Sequence, residues 1–424
     1  MQEIHKIGWK TATSIVISSM IGTGVFTSLG FQLVEVQNTW SIVLLWFLGG
    51  ALALIGAFTF AELGTHYKRT GGDYVFISEA ISPFLGYLSA WTSMIVGFSA
   101  PVAIAAIAME SYLMPFKIPN IRVFSVITVI LICLFHSFSL KQSSAFQNFS
   151  TVFKIAFVFF VLGLGIYFLP IPNNAISFLT SLSSEVFKPG FAVSLLYVTY
   201  AYTGWNTSAY IVGEIDKPEK NLPKSLIIGT LFVTIVYILL QFVFLKFSTF
   251  TQLKGQVDVT LIATNNILGT TANKWISAGI AFQLIATMSS YIWVGPRIIH
   301  SMAQQYNFWK WLRPTNVHNI PIRALWFQCF LILLLLFSGS LERIMLYTSF
   351  LLQLMGTLAV SSIFFTKRQT DDYHSPLRPY LQYLYVGFSL FVLTFIVIDR
   401  PTESLIGLGI LGIGAMTYFL SKKY

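Results

Sequence analysis

Charge is scarce in this chain. Only 10% of its 424 residues are Asp, Glu, Lys or Arg, against roughly a quarter in soluble domains. Hydrophobic residues make up 55%, and the mean hydropathy is +0.72, which excludes a soluble globular protein. Cysteine is almost missing: Cys133 and Cys329 both fall in apolar runs, so no disulfide framework and no CxxC metal signature is available. There is no HExxH motif and no intramembrane aspartate pair, which removes the residues a zinc or aspartyl membrane protease would need. Long polar stretches are absent too. The longest, 247–272 and 301–322, read as loops, and one membrane domain is expected. The first apolar segment lacks a small-residue cleavage site and reads as a retained span. Basic residues are scattered over short loops instead of forming one patch, which argues against nucleic-acid binding.

What the chain does have is apolar runs. A hydrocarbon core about 30 Å thick needs about 20 apolar residues per helix. Runs of that kind lie at 8–33, 40–64, 84–113, 122–140, 147–169, 190–213, 225–246, 273–300, 323–340, 343–366, 380–398 and 404–421, predicting twelve transmembrane helices. Stretches such as "VITVILICLF" lack the alternation of barrel strands. Lys and Arg, among them Lys68, Arg69, Lys141, Lys217, Lys220, Lys224, Lys422 and Lys423, favour the side of the N-terminus, which places both termini in the cytoplasm. The formal charge of +10 is mostly this bias. Two prolines in "IDKPEKNLPK" (215–224) mark an ordered turn after a helix end.

Charge inside the spans is therefore informative. Glu62, Glu110, Asp399, His136 and His300 stand near span ends. Lys154, in "QNFSTVFKIAFVFF", lies roughly 10 Å inside its span by helical rise. It either snorkels to the interface or faces the bundle interior and meets carbonyls or hydroxyls of a neighbouring helix. Glu62 and Glu214 read as gate or capping carboxylates, with Lys68, Arg69 and Asp73 as potential partners or as a solvated loop.

Two spans are interrupted. "SSMIGTGVF" (Ser18 to Phe26) breaks the first, and Tyr200, Tyr202, Thr203, Gly204, Trp205 and Asn206 break the sixth within "LLYVTYAYTGWNTSAYIVGE". Gly-interrupted spans at matching positions of two five-helix halves point to a transporter binding site. Unwinding frees amides at the start of one half-helix and carbonyls at the end of the other. The amides of Gly22, Thr23 and Gly24 suit a carboxylate. Carbonyls near Met20, Tyr200 and Thr203 suit an ammonium, and a zwitterion satisfies both sets. The competing explanation is that the glycines let helices approach closely. A nucleotide loop is disfavoured, because "GTGVFT" has no third glycine and no preceding strand.

These residues resemble those of the amino acid–polyamine–organocation (APC) transporters. "SSMIGTGVF" is similar to their first-helix motif. "FAELGTHYKRTGGDYVFISEAISPFLGYLSAW" resembles their loop between spans 2 and 3. "YAYTGWN" with "GEIDKPEKNLPKSL" looks like their sixth helix and the loop after it, and "GPRIIHSMAQQYNF" like the end of their eighth. The "YAYTGWN" form points towards the L-type and related bacterial amino acid permeases. The resemblance implies an all-α membrane protein with a five-plus-five inverted repeat (a LeuT-like fold). Its transport core would be residues 1–366, with helices 11 and 12 in 367–424 outside it. It implies a substrate carboxylate on Gly22, Thr23 and Gly24, and an amine on carbonyls of Met20, Ile21, Tyr200 and Thr203 beside Gly204. Tyr200 would close over the substrate. Lys154 would stand in for sodium, close to a hydroxyl of the eighth span such as Ser289 or Ser290.

Departures from the pattern carry their own expectations. Gly213-Glu214 replaces a glutamate pair, and "AQQYN" replaces the usual end of the eighth helix, so the inner gate differs. Thr203 stands where many L-type members have glycine, which favours smaller side chains. The loop from Pro115 to Ile121 lacks the cysteine that joins animal L-type transporters to an ancillary glycoprotein, so no disulfide-linked subunit is expected. No cofactor or metal is called for. The expectation is a sodium-independent secondary transporter of neutral, small-to-medium α-amino acids in a bacterial inner membrane. It would work by alternating access, through exchange or proton-coupled uptake. A cationic amino acid or polyamine carrier would need an acidic side chain, and none lies near either break in sequence. An intramembrane enzyme built on Ser289 or Ser290 with His136 or His300 has no sequence support for their proximity.

Overall fold

Segments that are apolar on all sides, as these are, become helices that bury against each other and against lipid. In a computed structural model, residues 6–138, 140–168, 185–269, 272–370 and 372–421 are described. Among them the chain is all-helical, apart from an isolated bridge between Ile7 and Ile215. Residues 139 and 169 at two predicted span ends lie outside the described residues, as do Lys422, Lys423 and the side chain of Lys141.

The first span is two helices, α1 (Trp9–Met20) and α2 (Thr23–Glu35), parted at Ile21-Gly22. Next come α3 (Thr39–Tyr67), α4 (Asp73–Ala80), α5 (Pro83–Thr92), α6 (Ala100–Leu113), α7 (Ile121–Phe138) and α8 (Leu140–Tyr167). A π-helical turn, Ser93–Gly97, follows α5 and leads towards α6. After them lie α9 (Pro189–Ala201), the 3-10 segment Thr207–Glu214, α10 (Pro218–Phe247), α11 (Phe250–Leu253), α12 (Val259–Leu268) and α13 (Asn273–Gln305). The chain ends with α14 (Ile322–Ser338), α15 (Leu341–Ser361), α16 (Tyr380–Asp399) and α17 (Pro401–Leu420). Local signals set several ends. Asn38 caps α3 by accepting from the amides of Trp40 and Ser41. Lys68 closes the same helix in the left-handed region.

Ten helical segments among the described residues are long and apolar enough to cross a membrane. The predicted spans 190–213 and 323–340 fall short of that measure. The first stops being α-helical after Ala201, and the second, α14, has 17 residues. Other boundaries moved for local reasons. The expected turn at 215–224 is confined to 215–217, and α10 takes over from Pro218, which occupies its first turn, where proline's missing donor costs nothing. The expected loop 247–272 contains α12, and α13 runs on to Gln305.

Ion pairs staple the bundle at its ends. Glu62 of α3, 2% exposed, is held by Arg378, by Arg368 at 3.4 Å and by the Ser375 amide at 2.8 Å. Arg378 also donates to the carbonyls of Ile363 and Thr366, and His66 pairs with Asp372 at 2.7 Å. The end of α3 is thus tied to the segment after α15. Lys68 and Arg69 are not the partners of Glu62, since Arg69 reaches Glu79. At the other end, Arg400 lies between Glu35, Glu342 and Asp399.

Removing one partner of a buried pair strands the other, at a cost of about 3–5 kcal/mol. Glu62→Ala is therefore expected to lower the melting temperature of the purified protein in detergent strongly. Glu79→Ala, which breaks a half-exposed pair, should cost under about 1 kcal/mol. Equal melting shifts in the two variants would contradict the assignment.

Candidate functional site

The first break follows from what a glycine in lipid permits. Ile21 leaves the helix with ψ 95°, its amide still donating to the Ile17 carbonyl at 3.0 Å, and Gly22 is fully extended. No side chain caps the start of α2, so the amides of its first turn have no intrahelical acceptors. The carbonyls at the end of α1 do find donors. Tyr237 of α10 donates its hydroxyl to Met20 at 2.5 Å. Lys154, 1% exposed, donates to Ser18 at 3.4 Å. Of the two orientations open to Lys154, the structure has the interior one.

In the second break, Thr203 donates its amide to the Tyr200 carbonyl at 3.0 Å and its hydroxyl to the same oxygen at 2.7 Å. Gly204 then takes φ +101°, a conformation open to glycine and strained for other residues. The two breaks touch. A Cβ on Gly204 would meet the Ser19 carbonyl carbon at 2.7 Å, and one on Gly24 would meet the Ala201 Cα at 2.4 Å. The hydroxyls of Thr23 and Tyr200 share a hydrogen bond of 3.3 Å.

Beside this junction lies a cavity of about 950 Å³. It is lined by Ser18 and Ser19 of the first break, by Tyr200, Thr203 and Gly204 of the second, and by Glu214 and Ser290. Met20, Ile21, Gly22, Thr23 and Gly24 do not line it. Glu62 lies in the staple described above, away from the cavity. Ser290 donates to the Ala286 carbonyl at 3.0 Å. Ser289 meets His136 at 2.7 Å, a pairing that sequence gave no reason to expect, and both residues are buried away from the cavity. His300 turns to Gln304. Among the described residues no three His, Cys, Asp or Glu side chains converge as metal ligands would.

One cavity residue corrects the sequence reading. No acid lies near either break along the chain, but Asp73 does in space. Asn206, two residues past Gly204, donates to its carboxylate at 3.1 Å, and Tyr210 bonds to it as well. Burial pushes the Asp73 carboxyl up to about 6, against hydrogen bonds from Tyr210, its own amide and Asn206 that pull it down. The signal that could have found it is the "GGD" run. Gly71 and Gly72 both take positive φ, and a Cβ on Gly72 would meet the Tyr210 ring at 2.9 Å. The glycines turn the chain so that the first residue of α4 sits under the second break.

Residues 7–414 match a protein-family model described as amino acid permease. The serine/threonine exchanger SteT of Bacillus subtilis (strain 168) is similar at 26% identity, over 92% of this chain and 90% of that protein. The human b(0,+)-type amino acid transporter 1 is similar at 27% identity, over 99% of this chain and 88% of its own length. The human Asc-type amino acid transporter 1 is 25% identical, over 98% of this chain and 82% of its own.

Substitutions at the junction should separate its glycines by role. Gly24→Ala drives a methyl into backbone, and Gly204→Ala adds strain of about 1–3 kcal/mol to a clash. Both should lower folded yield and melting temperature. Gly163→Ala, with nothing within 4 Å of the added methyl, should not. Melting curves of the three variants check this, and a tolerated Gly24→Ala would mean that the breaks do not touch.

Proposed function

The chain belongs to the amino acid permease family of integral membrane proteins, and from that premise we propose that it is a sodium-independent carrier exchanging neutral, small-to-medium α-amino acids. The observation that carries the reading is the meeting of two interrupted spans, through Thr23 and Tyr200, beside a cavity. In the proposed bound state the carboxylate takes the uncapped amides of Gly22, Thr23 and Gly24. The amine takes carbonyl lone pairs at Met20, Ile21, Tyr200 and Thr203, and Tyr200 closes over the ligand. Because Gly24 packs on Ala201 here, those amides become available only when α9 withdraws from α2. Two opposite partial charges facing one gap suit a zwitterion, and the β-branched Thr203 narrows the space beside Gly204.

Lys154 supplies a fixed positive charge at the end of α1, where its bond to the Ser18 carbonyl does work that a bound cation would otherwise do. That supports sodium independence. Exchange is favoured over proton-coupled uptake by the similarity to SteT, whose name is that of an exchanger. The proposed topology keeps twelve crossings, with α9 plus the 3-10 segment and α14 as the two that are short, and with helices 1–10 (1–366) as an inverted-repeat core. The charge bias supports cytoplasmic termini, the similarity to SteT of Bacillus subtilis (strain 168) supports a bacterial inner membrane, and no disulfide-linked subunit is proposed. A carrier is preferred to an enzyme because the Ser289–His136 pair is buried away from the cavity.

Purified protein in liposomes preloaded with serine or alanine should take up the labelled amino acid by counterflow, unchanged when sodium is replaced by choline. Lys154→Ala should slow exchange by at least about tenfold, since it leaves a buried carbonyl unpaired. Absence of counterflow with any neutral amino acid would end the proposal, and sodium-dependent uptake would remove Lys154 from its assigned part.

A further inference from the structure

We propose that Asp73, with Thr92, Asn206 and Tyr210, forms a subsite for a positively charged side-chain group, so that the cavity takes amino acids carrying a second ammonium or a guanidinium as well as neutral ones. This inference rests on the transport reading above and deepens it.

The first argument is a comparison within the molecule. Among the described residues, the buried acids are Glu62, Asp73, Glu110 and Asp372. Glu62 has Arg378 and Arg368, Glu110 has Arg122 at 2.9 Å, and Asp372 has His66 at 2.7 Å. Asp73 forms no ion pair among the described residues, and its partners are neutral donors. A buried carboxylate without a counter-charge is costly. It is also the one buried acid in contact with the cavity.

A second observation is independent of that charge. Thr92, 1% exposed, lines the same cavity, and among the described residues its hydroxyl has no hydrogen-bond partner. Of the buried hydroxyls without a partner among the described residues, that of Thr92 is the one that lines the cavity. A carboxylate offers about four acceptor positions, of which Asn206, Tyr210 and the Asp73 amide use part. Thr92 adds another acceptor. An ammonium has three donors and no acceptor, which matches that arrangement.

The surroundings suit the stem of such a side chain. Phe98, Tyr291 and Tyr385 also line the cavity, with Phe98 edge-on to Tyr210 and Tyr291 at 6.3 and 6.1 Å between ring centres. Aromatic faces accept both methylene groups and cations. Asn206 links the subsite to the break through its hydrogen bond to Asp73.

The test uses wild-type proteoliposomes exchanging labelled serine, challenged with unlabelled lysine, ornithine or norleucine, the last a neutral side chain of similar length. Lysine and ornithine should compete in the wild type. In Asp73→Asn the half-inhibitory ratio of lysine to norleucine should rise about tenfold or more, the scale of a lost charged hydrogen bond. In Thr92→Val, which leaves the carboxylate in place and decides the matter if Asp73→Asn does not fold, the ratio should rise by a few-fold. Lysine that fails to compete while serine exchange saturates normally would overturn the subsite. So would an equal loss for lysine and norleucine in both variants, because Asp73 and Thr92 would then be structural. Absence of serine exchange would instead overturn the transport reading, and this inference with it.

Discussion

A helix interrupted inside a bilayer must account for every backbone group it frees, because lipid supplies no hydrogen bonds. The rest of the structure is arranged around that constraint. At the end of α1 the Ile21 amide closes on Ile17, Lys154 takes Ser18 and Tyr237 takes Met20. At the end of α9 the Thr203 amide and hydroxyl both turn back to Tyr200. Carbonyls are thus distributed among donors from α8, α10 and the break itself. The first-turn amides of α2 have no side-chain cap. That asymmetry gives the junction its polarity, with an unmet positive end beside carbonyls that have spare lone pairs.

The aromatic groups around the junction serve the same constraint. Tyr237 is fully buried, edge-on to Trp46 at 5.5 Å and tilted against Tyr202 at 5.2 Å. Tyr202 in turn donates to the Trp46 carbonyl at 2.9 Å. One cluster therefore holds the Met20 carbonyl of the first break and a ring of the second. Gly49 and Gly50 leave room for it, since a Cβ on either would press on Tyr202.

Sequence made the breaks legible because glycine, hydroxyl and aromatic residues interrupt two apolar runs, at 18–26 and 200–206, in matching positions of two five-helix halves. Lys154 was legible for the same reason, although its direction was not. Side chains brought in from distant elements were illegible. Asp73 reads from sequence as part of a polar loop, and as the first residue of α4 it reaches the second break because Gly71 and Gly72 turn the chain beside Tyr210. His136 and Ser289 are separated by 153 positions, and Tyr237 and Met20 by 217. Hydropathy can locate the helices carrying such residues but not how each is rotated. The number of crossings was harder still, because a broken span such as 190–213 contains too little continuous helix to count by length.

The glycines were open to two explanations, as packing devices or as a ligand site, and the geometry makes these one explanation. Gly24 packs on Ala201 so closely that no side chain fits, and Gly204 does the same against Ser19. Gly22, Thr23 and Gly24 do not line the cavity. On the transport reading, a carboxylate reaching them must replace the contact between α2 and α9, so binding and separation of the two half-helices are the same event. Arg400 lies between Glu35 of α2, Glu342 of α15 and Asp399 of α16. On the transport reading, a ligand that parts α2 from α9 works against that network. The small residues that seal the junction are what lets the ligand's own charges reopen it, which is the coupling alternating access requires.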